Sequence, residues 1–124
     1  MTDPSLPGNG PWRHHPERPN FVLHEFEVQA RAERAQPKDA KQVKLHSAWA
    51  DYSQPQYHVK GAIDGNPKTG WAIHQEFHKP HVATFRTEKP VGFQDGTRLT
   101  ITMPQNHAET RTLGRFRIYV CEGE

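Results

Sequence analysis

Residues 62–71 of this 124-residue chain read AIDGNPKTGW and predict a tight loop that closes on a tryptophan. Gly65 is suited to a positive φ angle, and Pro67 fixes its own φ while it biases the preceding residue toward extended geometry. A loop of this kind turns several backbone carbonyls in one direction, with the Asp64 carboxylate and the Thr69 hydroxyl beside them. Such a set of oxygens suits Ca²⁺, which takes about six to eight oxygen ligands.

A second interpretation of the same loop needs no ion. Asp64 and Thr69 are residue types whose side chains bond to the backbone of a tight turn. The residues alone leave the calcium site and the ion-free turn equally open. In either case Trp71 is too large and apolar to be left in water, so we expect it to anchor the loop to the core.

The composition predicts short strands joined by turns. Only 33% of residues are hydrophobic, and the chain has 11 prolines and 9 glycines. Its length suits a single domain with one modest core. A net charge of +2 without a basic run does not favour nucleic acid as a partner. No apolar stretch is long enough to span a bilayer or to form a signal-peptide core, and the single cysteine, Cys121, excludes an internal disulfide.

Alternating apolar residues predict the strands. The clearest alternation lies in residues 21–30, 43–49, 82–87, 97–103 and 113–121. About six short strands with frequent turns favour an all-β fold, an antiparallel β-sandwich of the jelly-roll type. Residues 1–20 are rich in proline and predict an extended or disordered arm, which leaves residues 21–124 as the domain.

The alternation also predicts which residues face the core. In residues 21–30, Val22, His24 and Phe26 share one face, and Leu23 and Glu25 lie on the other. In residues 43–49 the predicted core face includes Leu45, Ser47 and Trp49. In residues 97–103 it consists of Leu99, Ile101 and Met103, and in residues 113–121 of Phe116, Ile118 and Val120.

The order of these segments resembles that of discoidin, or coagulation-factor type C, domains, which belong to the galactose-binding-like jelly rolls. The shared features are the loop at residues 62–71 and a late strand, GRFRIYV at residues 114–120. A closer resemblance is to the discoidin-like segment of large secreted planctomycete proteins that also carry c-type cytochrome domains. It is carried by NFVL at residues 20–23, EFEV at 25–28, ADYSQ at 50–54 and LGRFR at 113–117.

This resemblance implies a structural calcium where the loop meets the end of the last strand. The ligands it implies are the Asp64 side chain, the Asn66 carbonyl, the hydroxyl or carbonyl of Thr69, and a terminal acid, for which Glu122 is expected. It also implies an extracellular or periplasmic location, with neighbouring domains of a larger protein as partners.

Sugar recognition needs aromatic faces for the apolar side of a pyranose and polar groups for its hydroxyls. The loops offer this mixture, and the resemblance places the ligand at the loop end of the sandwich. We therefore expect carbohydrate to be bound by a set of loop residues: Tyr52, Tyr57, His74, Phe77, His78, His107 and Arg111. The alternative is a structural or protein-interaction module that packs between neighbouring domains.

Catalysis finds little support in the sequence. The chain has no nucleophile elbow, no zinc-protease helix motif, no paired-cysteine motif and no phosphate-binding glycine loop. A transition metal held by His74, His78 and His81 is a weaker alternative, because the turn-rich context does not predict a fixed ligand geometry. We therefore expect a binding module and no enzyme.

Overall fold

The computed structural model describes residues 20–106 and 112–122. Its regular elements are β1 (Glu27–Ala32), a 3-10 helix (Pro37–Asp39), β2 (Lys41–Val43), β3 (Leu45–Ala50), a second 3-10 helix (Val59–Ala62), β4 (Ala83–Thr87) and β5 (Thr97–Thr102). Antiparallel pairing builds a three-stranded sheet in the order β2-β1-β5 and a two-stranded sheet, β3-β4. Within the described ranges the fold is therefore mostly antiparallel strand with little helix, which confirms the all-β class.

The core forms around Trp71, as the sequence predicts. The buried cluster consists of Phe21, Leu23, Ala48, Val59, Ala62, Trp71 and Ile73. The rings of Phe21 and Trp71 meet edge to face with centroids 5.1 Å apart. Leu23 and Trp71 exchange two backbone hydrogen bonds of 2.9 and 2.8 Å, and the indole Nε1–H donates to the Tyr52 carbonyl at 2.8 Å. Trp71 therefore joins three separate segments of the chain.

The first predicted strand is wrong in its N-terminal half. Regular pairing begins at Glu27, and before it Leu23 forms only an isolated bridge with Trp71. Phe21, Val22, Leu23 and His24 are all buried, so the segment is enclosed on every side and has no solvent face. Alternation predicts faces only where one side of a strand meets water.

The second predicted strand is in fact two strands, which belong to different sheets. β2 ends at Val43, and β3 begins at Leu45. The β3-β4 register shifts between Leu45 and Ser47, as a β-bulge does. A shift of one residue moves every later side chain to the opposite face. Ala48 is therefore buried, whereas Trp49, predicted to lie in the core, is 60% exposed.

The two later strands confirm the prediction, and the last segment contradicts it. β4 and β5 lie within residues 82–87 and 97–103, and Leu99 and Ile101 face inward between exposed neighbours. Residues 114–122 contain no strand. Phe116, Ile118 and Val120 are exposed instead of buried, because alternation produces a buried face only where a strand joins a sheet.

No helix within the described ranges is long and apolar enough to cross a lipid bilayer.

Candidate functional site

The loop predicted from residues 62–71 has the expected turn geometry. The Asp64 Oδ1 atom accepts a 2.9 Å hydrogen bond from the Asn66 N–H, and the Asn66 Oδ1 atom accepts one of 2.9 Å from the Lys68 N–H. Gly65 lies at φ +73°, a region that glycine enters without steric cost. The local sequence therefore determines the turn, because the Asp64 and Asn66 side chains accept hydrogen bonds from backbone N–H groups in place of backbone carbonyls.

Several oxygen atoms of this loop converge on the Thr69 hydroxyl. The Thr69 Oγ1 atom lies 2.6 Å from Asp64 Oδ2, 3.1 Å from the Asn66 carbonyl and 3.2 Å from the Gly61 carbonyl. A hydroxyl has one proton and donates it to one acceptor at a time. Two of these three oxygens are therefore without that proton at any time, and a cation beside them would stabilise them.

The carbonyl of Thr69 is already used elsewhere. It accepts a 2.8 Å hydrogen bond from Nδ1 of His24, which is 5% exposed. The resemblance allowed either the hydroxyl or the carbonyl of Thr69 as a ligand. In this structure the hydroxyl faces the oxygen cluster, and the carbonyl ties the loop to the buried N-terminal segment.

Glu25 completes the cluster, although the sequence did not single it out. Its carboxyl group lies beside that of Asp64 and near the Gly65 N–H, and both groups act on its pKa. Its Oε1 atom is buried and has no hydrogen-bond partner among the described residues. Burial and the adjacent Asp64 raise the pKa of Glu25 to about 7. Burial also acts to raise the pKa of Asp64, but hydrogen bonds from Thr69 and the backbone outweigh it and lower that pKa.

These groups fit a hard cation such as Ca²⁺. The Asp64 carboxylate and the Asn66 and Gly61 carbonyls lie within 3.2 Å of the Thr69 hydroxyl, and the Glu25 carboxyl group, whose Oε1 atom is buried, lies beside Asp64. Water would complete the ligand shell that Ca²⁺ prefers. The orphaned Glu25 oxygen is the observation that favours an ion over a turn satisfied by its own hydrogen bonds.

Glu122, which the resemblance offered as the terminal acid, is exposed. Within the described ranges, the carboxyl group that meets Asp64 is that of Glu25. The sequence held no signal for this pairing, because Glu25 lies far from the loop along the chain and in a segment predicted to be a regular strand.

Across residues 20–106 and 112–122 no group of three His, Cys, Asp or Glu side chains is arranged to hold a metal ion. Within the described residues, neither the histidine-rich loop nor the Glu25–Asp64 pair therefore belongs to a group of three such side chains that could hold a metal ion. The His81 side chain is nearly buried, with Nδ1 3.2 Å from the Asp51 carboxylate and Nε2 2.6 Å from the Glu76 carbonyl. Its ring thus ties the loop to the end of β3.

The structure brings four of the predicted sugar-binding residues into one patch, the aromatic loop cluster. This cluster consists of Tyr52, His74, Phe77 and His78. The rings of His74 and Phe77 meet edge to face at 5.2 Å, and those of Phe77 and His78 at 6.4 Å. The Tyr52 hydroxyl donates a 2.7 Å hydrogen bond to the His74 carbonyl. The half-buried Tyr57 joins this region through its backbone.

Two of the predicted binding residues cannot be placed in this patch. His107 and Arg111 lie outside the described residues.

The side chains of Asn20 and Gln54 hold the backbone next to the aromatic loop cluster through hydrogen bonds. Gln54 Oε1 accepts from the His74 N–H at 3.0 Å and from Asn20 Nδ2 at 2.9 Å. Asn20 Oδ1 accepts from the N–H groups of Phe21 and Ile73. Asn20 is the last residue of the predicted arm, yet it is only 4% exposed. A lone asparagine beside a proline-rich segment carries no sequence signal for such a role.

Comparison of the chain with protein-family models, with curated proteins and with solved structures found no match.

Proposed function

We propose that this chain is a non-catalytic carbohydrate-binding module on a discoidin-like jelly roll, stabilised by a structural calcium ion. The observation that supports it best is the aromatic loop cluster, where Tyr52, His74, Phe77 and His78 lie together. In this proposal the module serves a larger protein outside the cytoplasm, as the resemblance implies.

The chemistry of the cluster suits a pyranose ring. An aromatic face can cover the apolar C–H face of the sugar, while imidazole nitrogens and a phenol bond to its hydroxyls. Phe77 is half-buried, so its ring is held in place, and His74 and His78 on either side of it are exposed. A preorganised platform loses little side-chain entropy when a ligand binds.

Calcium would act on this surface indirectly. Thr69 lies two residues before Trp71, whose Nε1–H holds the Tyr52 carbonyl. Tyr52 in turn holds the backbone of His74. An ion bound by Glu25 and the loop would therefore order the segment that positions the cluster, without contacting the sugar.

A glycan array, probed with calcium and again with a chelator, tests the proposal. We expect reproducible binding that Phe77→Ala abolishes and that Tyr57→Ala weakens. Gln94→Ala, in an exposed turn away from the cluster, is the matched control and should bind normally. A blank array from a folded, calcium-loaded domain would exclude this function.

A second candidate function is a structural or protein-interaction module. The observation that favours it is apolar exposure: Trp49 is 60% exposed and Val82 58%, and Tyr119 and Val120 are each 74% exposed. The β3-β4 register places Trp49 and Val82 on the same outer face of that sheet. Such residues commonly mark contact surfaces. Self-association or pairing with neighbouring domains that Trp49→Ser disrupts would support this function over sugar binding.

A further inference from the structure

A cleft of about 370 Å³ lies along the free edge of the three-stranded sheet. The strand order leaves β2 at this edge, and the segment that joins β4 to β5 forms the opposite wall. Its lining consists of Ala30, residues 41–44 and residues 88–93. The volume lies at the lower end of the range of about 300–1,000 Å³ that small-molecule sites occupy.

Both ends of the outer wall are fixed to the sheets. At one end the Glu88 N–H donates to the Lys44 carbonyl at 2.9 Å, and their side chains form an ion pair at 3.2 Å. At the other end the Phe93 N–H donates to Thr97 Oγ1 at 2.7 Å, where β5 begins. The cleft is therefore built into the connection between the two sheets.

The cleft carries an excess of positive charge. Lys41, Lys44 and Lys89 line it, with Glu88 as the one carboxylate. Glu88 pairs with Lys44, and no carboxylate within the described ranges forms an ion pair with Lys41 or Lys89. Two ammonium groups are thus available to an anionic ligand.

The same cleft offers apolar surface beside these charges. Val91 is 40% exposed and Phe93 47% exposed, and Pro90 lies between the charged residues and Val91. Large apolar side chains left half-exposed beside unpaired lysines suit a ligand with an apolar ring face and an anionic substituent. A sugar ring with a carboxylate or sulfate group has both properties.

We propose that this cleft binds an acidic saccharide, with Lys41 and Lys89 on its anionic groups and Phe93 against its ring. The site is separate from the aromatic loop cluster, none of whose residues line the cleft. The cleft would extend the proposed function to a second class of ligand. This inference rests on the proposed function in one respect, the choice of a saccharide as the ligand.

Nucleic acid is the less favoured polyanion. Binding of that kind relies on many phosphate contacts, on the order of 6–10 in strongly salt-dependent complexes. This cleft offers two unpaired lysines, and the whole chain carries a net charge of only +2. A short acidic saccharide needs no more positive charge than the cleft provides.

The experiment measures the Kd of the full chain, by calorimetry at low and moderate salt, for two acidic probes: a sulfated heparin oligosaccharide and an oligogalacturonate. A neutral dextran oligomer and a single-stranded DNA of similar length are the comparison ligands. We expect the double variant Lys41→Glu/Lys89→Glu to weaken binding of an acidic saccharide about tenfold or more. Lys60→Glu, an exposed charge reversal outside the cleft, should change it little.

Lys41→Gln/Lys89→Gln and Phe93→Ala serve as milder variants if charge reversal impairs folding, and both should weaken binding. The proposal would be overturned if acidic-saccharide binding survived all of the cleft variants, or if Lys60→Glu weakened it as much as they do. It would also be overturned if the wild-type chain bound neither acidic probe, or if it bound DNA with the same affinity. Phe77→Ala separates the two sites. This variant should leave acidic-saccharide binding intact. If Phe77→Ala alone abolished that binding, the ligand would belong to the aromatic loop cluster, and the proposed cleft site would be overturned.

Discussion

The carboxyl group of Glu25 lies beside that of Asp64, which brings two acids together at a loop that already concentrates carbonyl and hydroxyl oxygens. Burial of Glu25, together with the neighbouring Asp64 carboxylate, raises the pKa of Glu25 to about 7, because two like charges this close do not both ionise without cost. A divalent cation is the other way to stabilise the pair, because it favours both carboxylates in their charged form.

Calcium should therefore stabilise the wild-type domain in a way that depends on Glu25. At a calcium concentration about 100-fold above Kd, binding to the folded state contributes about 2.7 kcal/mol. We expect the melting temperature to rise on adding calcium and to fall again with a chelator. Glu25→Gln should lose this response, because it removes one of the two carboxylates.

Glu122→Gln is the matched control for that measurement and should keep the full calcium response. If the calcium response were lost in Glu122→Gln and kept in Glu25→Gln, the acidic ligand beside Asp64 would be Glu122 and not Glu25. No response in the wild type would leave the loop as a turn closed by its own hydrogen bonds.

In the presence of chelator, stability should fall as pH rises from about 4.5 toward 7. The reference pKa of Glu25 is 4.5, and its folded-state value is about 7, so the folded chain holds a proton that the unfolded chain releases over this interval. Stability from a raised pKa is complete below the unfolded value and is lost as pH passes the folded one.

Glu25→Gln, which cannot ionise, should flatten this dependence in denaturant titrations. The pKa of Asp64 is lowered, so its contribution to folding stability is lost only when the pH falls into the acidic range. The effects of Glu25 and Asp64 on stability therefore occur in separate pH intervals. An unchanged slope in Glu25→Gln would show that another group titrates.

Two tryptophans should differ sharply in their contribution to stability. Trp71 is 5% exposed and packs on Phe21, so Trp71→Ala should cost about 3–5 kcal/mol of unfolding free energy. Trp71→Phe should cost less, and part of that loss reflects the missing hydrogen bond to the Tyr52 carbonyl. Trp49→Ala, at a 60% exposed position, should remain within about 0.5 kcal/mol of wild type. Equal losses at both positions would contradict the β-bulge assignment.

Gly70 should not tolerate a side chain. A Cβ atom there would lie 2.8 Å from the Leu23 carbonyl oxygen and 3.0 Å from a Val22 methyl, both in the buried N-terminal segment. We expect Gly70→Ala to cost about 1–3 kcal/mol in chemical denaturation, because the Leu23–Trp71 backbone pair must shift. Gly92→Ala, where a Cβ meets nothing within 4 Å, is the control and should be close to neutral.

Local chemistry explains what the sequence predicted correctly. The turn at Asp64–Gly65, the buried Trp71 and the strands β4 and β5 each depend on residues close together in the chain. Gly65 adopts the positive φ that its lack of a Cβ permits. The grouping of four loop residues in the aromatic loop cluster could be proposed only as a consequence of the resemblance, since their spacing along the chain does not determine it.

Positions that depend on a distant partner were not predictable. The outward turn of Trp49 comes from a register shift against β4, and the exposure of Phe116 and Ile118 from the absence of a strand at residues 114–122. The burial of Asn20 depends on Gln54 and on the backbone of Ile73. In each case the deciding contact lies far away in sequence.

By itself, the sequence determined an all-β chain of short strands, a tight oxygen-rich loop and a tryptophan that closes it, because turn geometry and side-chain alternation are local properties. The tertiary structure alone decided that Glu25 lies beside Asp64, and that unpaired lysines line a cleft at the sheet edge. The physical reason is that pairing register and the meeting of remote segments follow from the burial of the whole core, which no local pattern encodes.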